Sequence, residues 1–271
     1  MKYVNFAISV LLFFVTFANA GWQDSLGGML ESVQKSSPIQ KSEATNKSSK
    51  FSTLDMNSAL KQALSAGVGY AVKNLGQQNG YLNNPLAKIG LPSGLETTAS
   101  LVKKAGGEKY VNDLVLSLNN AATEAAPKTA KIFTDSITNM SITDAQKILK
   151  GSENSATEYF KQNTTTQLRQ MIMPIVKKSM SNNSVATYYQ SFQSFYKANS
   201  GLVKNSQVGS LANSFGLGGY LPDEKDEDLD SYVTNRAIDG LMVMIAQKEK
   251  EIRANPMMQS SNLIQKVFSA F

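Results

Sequence analysis

Nearly everywhere from residue 57 to the C-terminus, apolar residues return every three or four positions, the period of an α-helix that buries one face, and strand-like alternation is almost absent. Leu60, Leu64, Val68, Val72 and Leu75 form one such stripe within 57–78, closed by Asn79-Gly80. Val111, Leu114, Val115, Leu118, Ala121, Ala122 and Ala125 form another, after which Pro127 predicts a kink or restart before a helix over 128–139. A chain patterned this way folds as an all-α, multi-helix bundle.

The punctuation divides the rest. Residues 81–92 carry Asn84-Pro85 and Leu91-Pro92 and read as an ordered loop, because proline disfavours helix in the residue before it. Ser93 and Glu96 have capping-box spacing and open a helix that ends at Gly106-Gly107. Ser141 and Asp144 start another, with Gly151 as its C′ residue. Two separate helices are expected over 154–161 and 165–180, then an aromatic one over 184–198. Residues 201–227 form a long loop rich in Gly, Ser and Asn. A helix over 229–254 stops at Asn255-Pro256, and 261–271 closes the chain.

Before this body the sequence has a different character. Lys2, the apolar run 6–17 and Ala18-Asn19-Ala20 compose a secretory signal peptide over 1–20. The run is shorter than the roughly 20 residues a membrane-spanning helix needs. Trp22, Leu26, Met29, Leu30 and Val33 suggest a short amphipathic helix, and 34–52 reads as a flexible Ser/Lys/Gln/Asn linker. The expected organisation is therefore a signal peptide over 1–20, a short helix plus linker over 21–52, and one helical domain over 53–271. Export to the periplasm of a Gram-negative bacterium follows, with no transmembrane segment in the mature chain.

Of the 271 residues none is Cys or His, which removes disulfides, thiolate nucleophiles, histidine bases and imidazole ligands. With 42% apolar and 18% charged residues the chain should fold rather than remain disordered. The net charge of +6, trimmed by one if Lys2 is removed, comes without a dense Lys/Arg block and argues against nucleic acid as a partner.

Three blocks resemble a family of exported bacterial proteins classed as a domain of unknown function, family 4197. They are GVGYAVKNLG with NGY and IGLP in 67–92; NNAATEAAPKTAKIF, NMSITDAQKILKG and ATEYF in 119–160; and DLDSYVTNRAIDGLMVMIAQKEKEIRANP in 228–256. The resemblance covers 53–271. It implies a signal peptide followed by one helical domain, and it implies no reaction.

Candidate binding residues are Asp144, Tyr159, Asp230 and Arg253, polar groups within those blocks, and the aromatic stripe Tyr188, Phe192 and Phe195. Aromatics at helical spacing usually build core, and polar groups at helix ends usually cap. Asp226, Asp228 and Asp230 are spaced like the first ligands of a calcium loop, but Ser231 stands where Gly is needed and Ala237 where Glu is. Acids before a helix also stabilise its N-terminal end unaided, so no metal or cofactor is assigned. Glu249/Arg253 and Glu124/Lys128 have the i,i+4 spacing of surface ion pairs. No catalytic residue emerges. The expected function is a non-catalytic binding or interaction module of the cell envelope, taking an apolar small molecule or an envelope protein. The alternative is a hydrolase of an envelope polymer using two of the carboxylates Glu124, Asp135, Asp144, Glu158, Asp230, Asp239 and Glu249.

Overall fold

The computed structural model describes residues 51–182, 194 and 229–271. Among these the chain is helical and forms no strand, in agreement with the apolar period. The expected signal peptide, the helix over 21–33, the linker up to residue 50, the aromatic helix over 184–198 and the loop over 201–227 lie outside the described residues, Ser194 apart.

Helix α1 spans Thr53–Gly76 and begins four residues before the expected start at 57. Its start is polar: Ser52 Oγ accepts from Asp55 N at 3.1 Å and Asp55 Oδ2 accepts from Ser52 N at 3.3 Å. This capping box satisfies two amides that helix geometry leaves open. The C-terminus comes at Gly76, before Asn79-Gly80, where Gln77 turns extended at ψ 162°; Gly76 packs onto Pro127, and a Cβ there would sit 2.8 Å from the proline ring. Asn79, at φ 58°, turns the chain into the loop instead.

Helix α2 spans Ser93–Lys104. The expected Ser93 cap is not made, since the N-cap is Pro92 and Ser93 is already helical. At the other end Gly106 takes φ 88°, with Gly106 N donating to Lys103 O and Gly107 N to Val102 O. That is the glycine-dependent Schellman closure. Helix α3, Glu108–Ala125, passes through a 3-10 turn at Ala126–Thr129 that contains Pro127 into α4, Ala130–Thr138. Glu124 and Lys128 make no ion pair, because the tighter turn intervenes between them.

Helix α5 spans Ile142–Lys150, with Ser141 Oγ accepting from Asp144 N at 3.1 Å. Gly151 is its C-cap at φ −83° rather than a left-handed C′ residue. Glycine is required there by proximity: a Cβ would stand 2.1 Å from Ser155 Oγ. The two helices expected over 154–180 are one, α6, Ser155–Asn182, with exposed Pro174 inside it. Where a polar break was expected, Thr164 and Thr165 hydroxyls donate to the carbonyls of Phe160 and Lys161, one turn back, and the helix continues. Helix α7 is Leu229–Ala254, as the sequence predicts. A 3-10 turn at Pro256–Met258 leads to α8, Asn262–Phe268, capped by Ser261.

Helix α7 is the centre of the bundle. It runs antiparallel to α6, with Ala156 beside Glu249 near one end and Arg169 bonded to Asn235 towards the other. It also runs antiparallel to α1, where Gly67 faces Ile245 and Leu60 and Ile252 share one pocket. Helix α6 passes over α4, whose Phe133 meets Phe160 edge-on at 5.2 Å. The almost fully buried Ala121, Ala122, Ala125, Ala126 and Ala130 let backbones approach closely along α3 and its continuation.

The loop over 77–92 is pinned at two points. Fully buried Tyr81 donates its hydroxyl to Ala237 O at 2.7 Å. Fully buried Asn119 accepts from Ile89 N at 2.9 Å and donates to Ile89 O at 2.8 Å and Val115 O at 2.7 Å. The Tyr81 ring lies over Gly240, where a Cβ would be 2.6 Å from the ring and 3.1 Å from Ala87 Cβ. A Cβ on Gly67 would meet Ile245 only at an ordinary 3.8 Å.

Those two glycines give opposite expectations. Both Gly→Ala changes gain helix propensity of about 0.8–1 kcal/mol. Gly67→Ala should therefore raise stability, whereas Gly240→Ala should lower it by about 1–3 kcal/mol through overpacking against an anchored ring. Urea unfolding of both variants checks this; midpoints that move the same way would show that the Tyr81 contact is loose.

Candidate functional site

Glu249 is the buried charge around which the polar groups of the described residues converge. It lies on the apolar stripe of α7, one turn after Ile245 and one before Ile252, with its side chain 7% exposed. Oε1 accepts from Ala156 N at 2.9 Å; Oε2 accepts from Thr157 N and Thr157 Oγ1, each at 3.0 Å. These amides belong to the first turn of α6, which has no partner for them within its own helix. A carboxylate at that position also meets the positive end of the helix dipole.

Arg253, one turn further along α7, completes the arrangement. Its Nε and one terminal nitrogen donate to Glu249 Oε1 at 3.2 and 3.1 Å. The same terminal nitrogen donates to Ile148 O at 2.8 Å, and the other reaches Leu149 O at 3.4 Å, near the carbonyl end of α5. The guanidinium stands 5.8 Å from the centre of the Phe268 ring on α8. The expected surface pair is thus a buried junction between α5, α6, α7 and α8, because its helix face is turned inward.

Beside the junction is a pocket of about 20 Å³ lined mainly by Leu60, Leu64, Ile245, Ile252 and Phe268, with Glu249 and Arg253 at its polar side. That volume holds one water and excludes an organic ligand.

The other sequence-predicted residues are dispersed. Asp144 is tied to the cap of α5, with Ser141 Oγ donating to its Oδ2 at 2.7 Å. Tyr159 donates to Ser136 O at 3.3 Å and joins α6 to α4. Asp230 is half-buried in the first turn of α7. Tyr188, Phe192 and Phe195 lie outside the described residues, as do Asp226 and Asp228 of the acidic run. Of the remaining carboxylates, Asp135 pairs with Lys131 at 2.8 Å, Glu158 with Lys161 at 3.0 Å and Asp239 with Arg236 at 3.4 Å, all on exposed helix faces. Among the described residues no group of three or more acids could hold a metal ion, and no helix is long and apolar enough to cross a membrane.

Sequence reasoning missed Glu249, Asn119 and Tyr81 as anchors. A signal existed for the first two: Glu249 stands four positions after buried Ile245 and three before buried Ile252, and Asn119 is a polar residue among buried Leu118, Ala121 and Ala122 on the inward side of its helix. Tyr81 stood in a loop, where periodicity is silent.

The fold and its junction define an all-helical body whose inward polar groups fasten helices to one another. The chain belongs to the family described as Protein of unknown function (DUF4197), which matches residues 50–269. No curated protein and no solved structure matches it.

Removing the junction should cost more than removing a surface pair. Glu249→Ala leaves Arg253 and two α6 amides without their acceptor and should destabilise by about 3–5 kcal/mol, against about 0–1 for Asp135→Ala on the exposed face. Hydrogen exchange would register faster exchange at Ala156 and Thr157 in the first variant; unchanged protection there would refute the capping role.

Tyr81 supplies a pH test. Burial pushes its phenol well above the ordinary value of 10.0. Above pH 10 the unfolded chain releases this proton and the folded chain keeps it, so unfolding is favoured as pH rises. The associated stability is intact below pH 10 and falls by about 1.4 kcal/mol per pH unit beyond it. Tyr81→Phe should lose about 1 kcal/mol at neutral pH through the missing hydrogen bond and show a flatter alkaline decline. Equal slopes for the two proteins between pH 9 and 11.5 would contradict this.

Proposed function

We propose that the chain is exported to the periplasm of a Gram-negative bacterium and acts there as a non-catalytic interaction module of the cell envelope, presenting helical surface to a protein partner. The observation that carries this reading is the close packing of the described helices. One contiguous apolar core runs through all the described helices, and the pocket beside Glu249 admits only a water. A body packed in this way binds through its outside.

The state of the carboxylates supports the same reading. Hydrolysis by paired acids needs two carboxyl groups facing across a cleft, one free to donate a proton and the other to attack or activate water. Glu249 has both oxygens committed to α6 and Arg253, and Asp135, Glu158 and Asp239 hold lysine or arginine partners on separate helix faces. The leader-like pattern over 1–20 supports export.

Expression with its own N-terminus in a Gram-negative host, followed by fractionation and mass measurement, tests the location. The expected product is periplasmic and begins at Gly21. Incubation with purified peptidoglycan tests the chemistry: the expected result is no released fragments, and turnover abolished by replacing any of the acids named above would overturn the non-catalytic reading.

A further inference from the structure

The far end of the bundle carries an apolar surface that the helical body does not use. Met257 is 69% exposed, Met258 84% and Phe271 54%. They share one place: Ser269 Oγ, two residues before Phe271, donates to Met257 Sδ at 3.6 Å, and Met258 follows directly. Large flexible thioethers beside an aromatic ring form an adaptable contact surface.

Chain topology brings the N-terminal arm to this same end. Helix α1 is antiparallel to α7, so its beginning lies level with the end of α7, and Ser261 Oγ donates to Gln62 Oε1 at 2.6 Å just beyond the methionines. The described chain enters there, at half-buried Phe51, which packs on the core. Upstream, Trp22, Leu26, Met29, Leu30 and Val33 repeat at the spacing of one helix face. Residues 34–50 between them can reach roughly 55 Å when extended, more than enough to fold back. Charge selects between possible occupants. Segment 21–33 holds Asp24 and Glu31 and no base, whereas the stretch 254–271, which carries the exposed apolar residues, holds exposed Lys266 and no Asp or Glu. An acidic amphipathic helix is poorly suited to an anionic lipid surface and well suited to this one.

We propose that residues 21–33 dock as an amphipathic helix onto the Met257–Met258–Phe271 surface of the same chain, so that the arm covers this end of the bundle. The inference goes beyond the proposed envelope function and does not depend on it.

Trp22 is the single tryptophan of the chain, so its emission reports the contact directly. In the full chain, processed as the expressing cell leaves it, emission should be blue-shifted from that of the urea-unfolded protein, shielded from iodide and independent of protein concentration. The double variant Met257→Asp/Met258→Asp should shift emission to the unfolded position and restore quenching, with the far-ultraviolet dichroism of the bundle retained. Leu26→Asp/Leu30→Asp, outside the described body, should do the same and leaves the bundle itself unaltered. Emission at the solvent-exposed position in the unmodified protein, a blue shift that survives the methionine change, one that appears only with increasing concentration, as in pairing of two copies, or one that needs added anionic vesicles would each overturn the proposal.

Discussion

The buried pairing of Glu249 with Arg253 is the interaction on which the arrangement of the later helices rests. A carboxylate caps the start of α6 and a guanidinium caps the end of α5, so a single turn of α7 closes two helix termini of opposite polarity. Each charge stabilises the dipole end it faces, and each has its remaining hydrogen-bonding capacity answered by the other. Taking either charge out of water alone would be costly; together, with five backbone groups or hydroxyls satisfied, the pair holds α5, α6 and α7 in one relation.

The same logic governs the loop between α1 and α2. Its backbone cannot satisfy itself by helix bonds, so buried side chains supply partners: Asn119 imitates a strand neighbour for Ile89, and Tyr81 reaches the carbonyl of Ala237. The glycine at 240 exists to admit that ring. A long connection thereby becomes part of the core, and α1, α3 and α7 are fastened by it as well as by their apolar faces.

This use of polar groups bears on what the protein does. A chain without histidine or cysteine has few catalytic options, and here its best-placed inward acid is committed to architecture. Its family match adds membership and no reaction. The exposed methionines and phenylalanine near the chain's entry into the bundle mark one place where the surface of the described body is apolar.

Periodicity alone determined that the chain is helical, where most helices lie, and that α7 runs from Leu229 to Ala254, because a stripe of Leu, Ile, Met and Val every three to four residues has one favourable burial geometry. Local caps at Ser141 and the Gly106-Gly107 closure were equally legible, since their bonds join residues a few positions apart. Tertiary packing decided the rest. Residues 162–164 looked like a break and became part of one long helix, Ser93 gave up its cap to Pro92, and Glu249 turned from a surface partner into a buried anchor. In the case of Glu249 the spacing is visible in the chain, but the amides it satisfies lie more than 90 residues away, and only the folded bundle brings them within 3 Å of its oxygens.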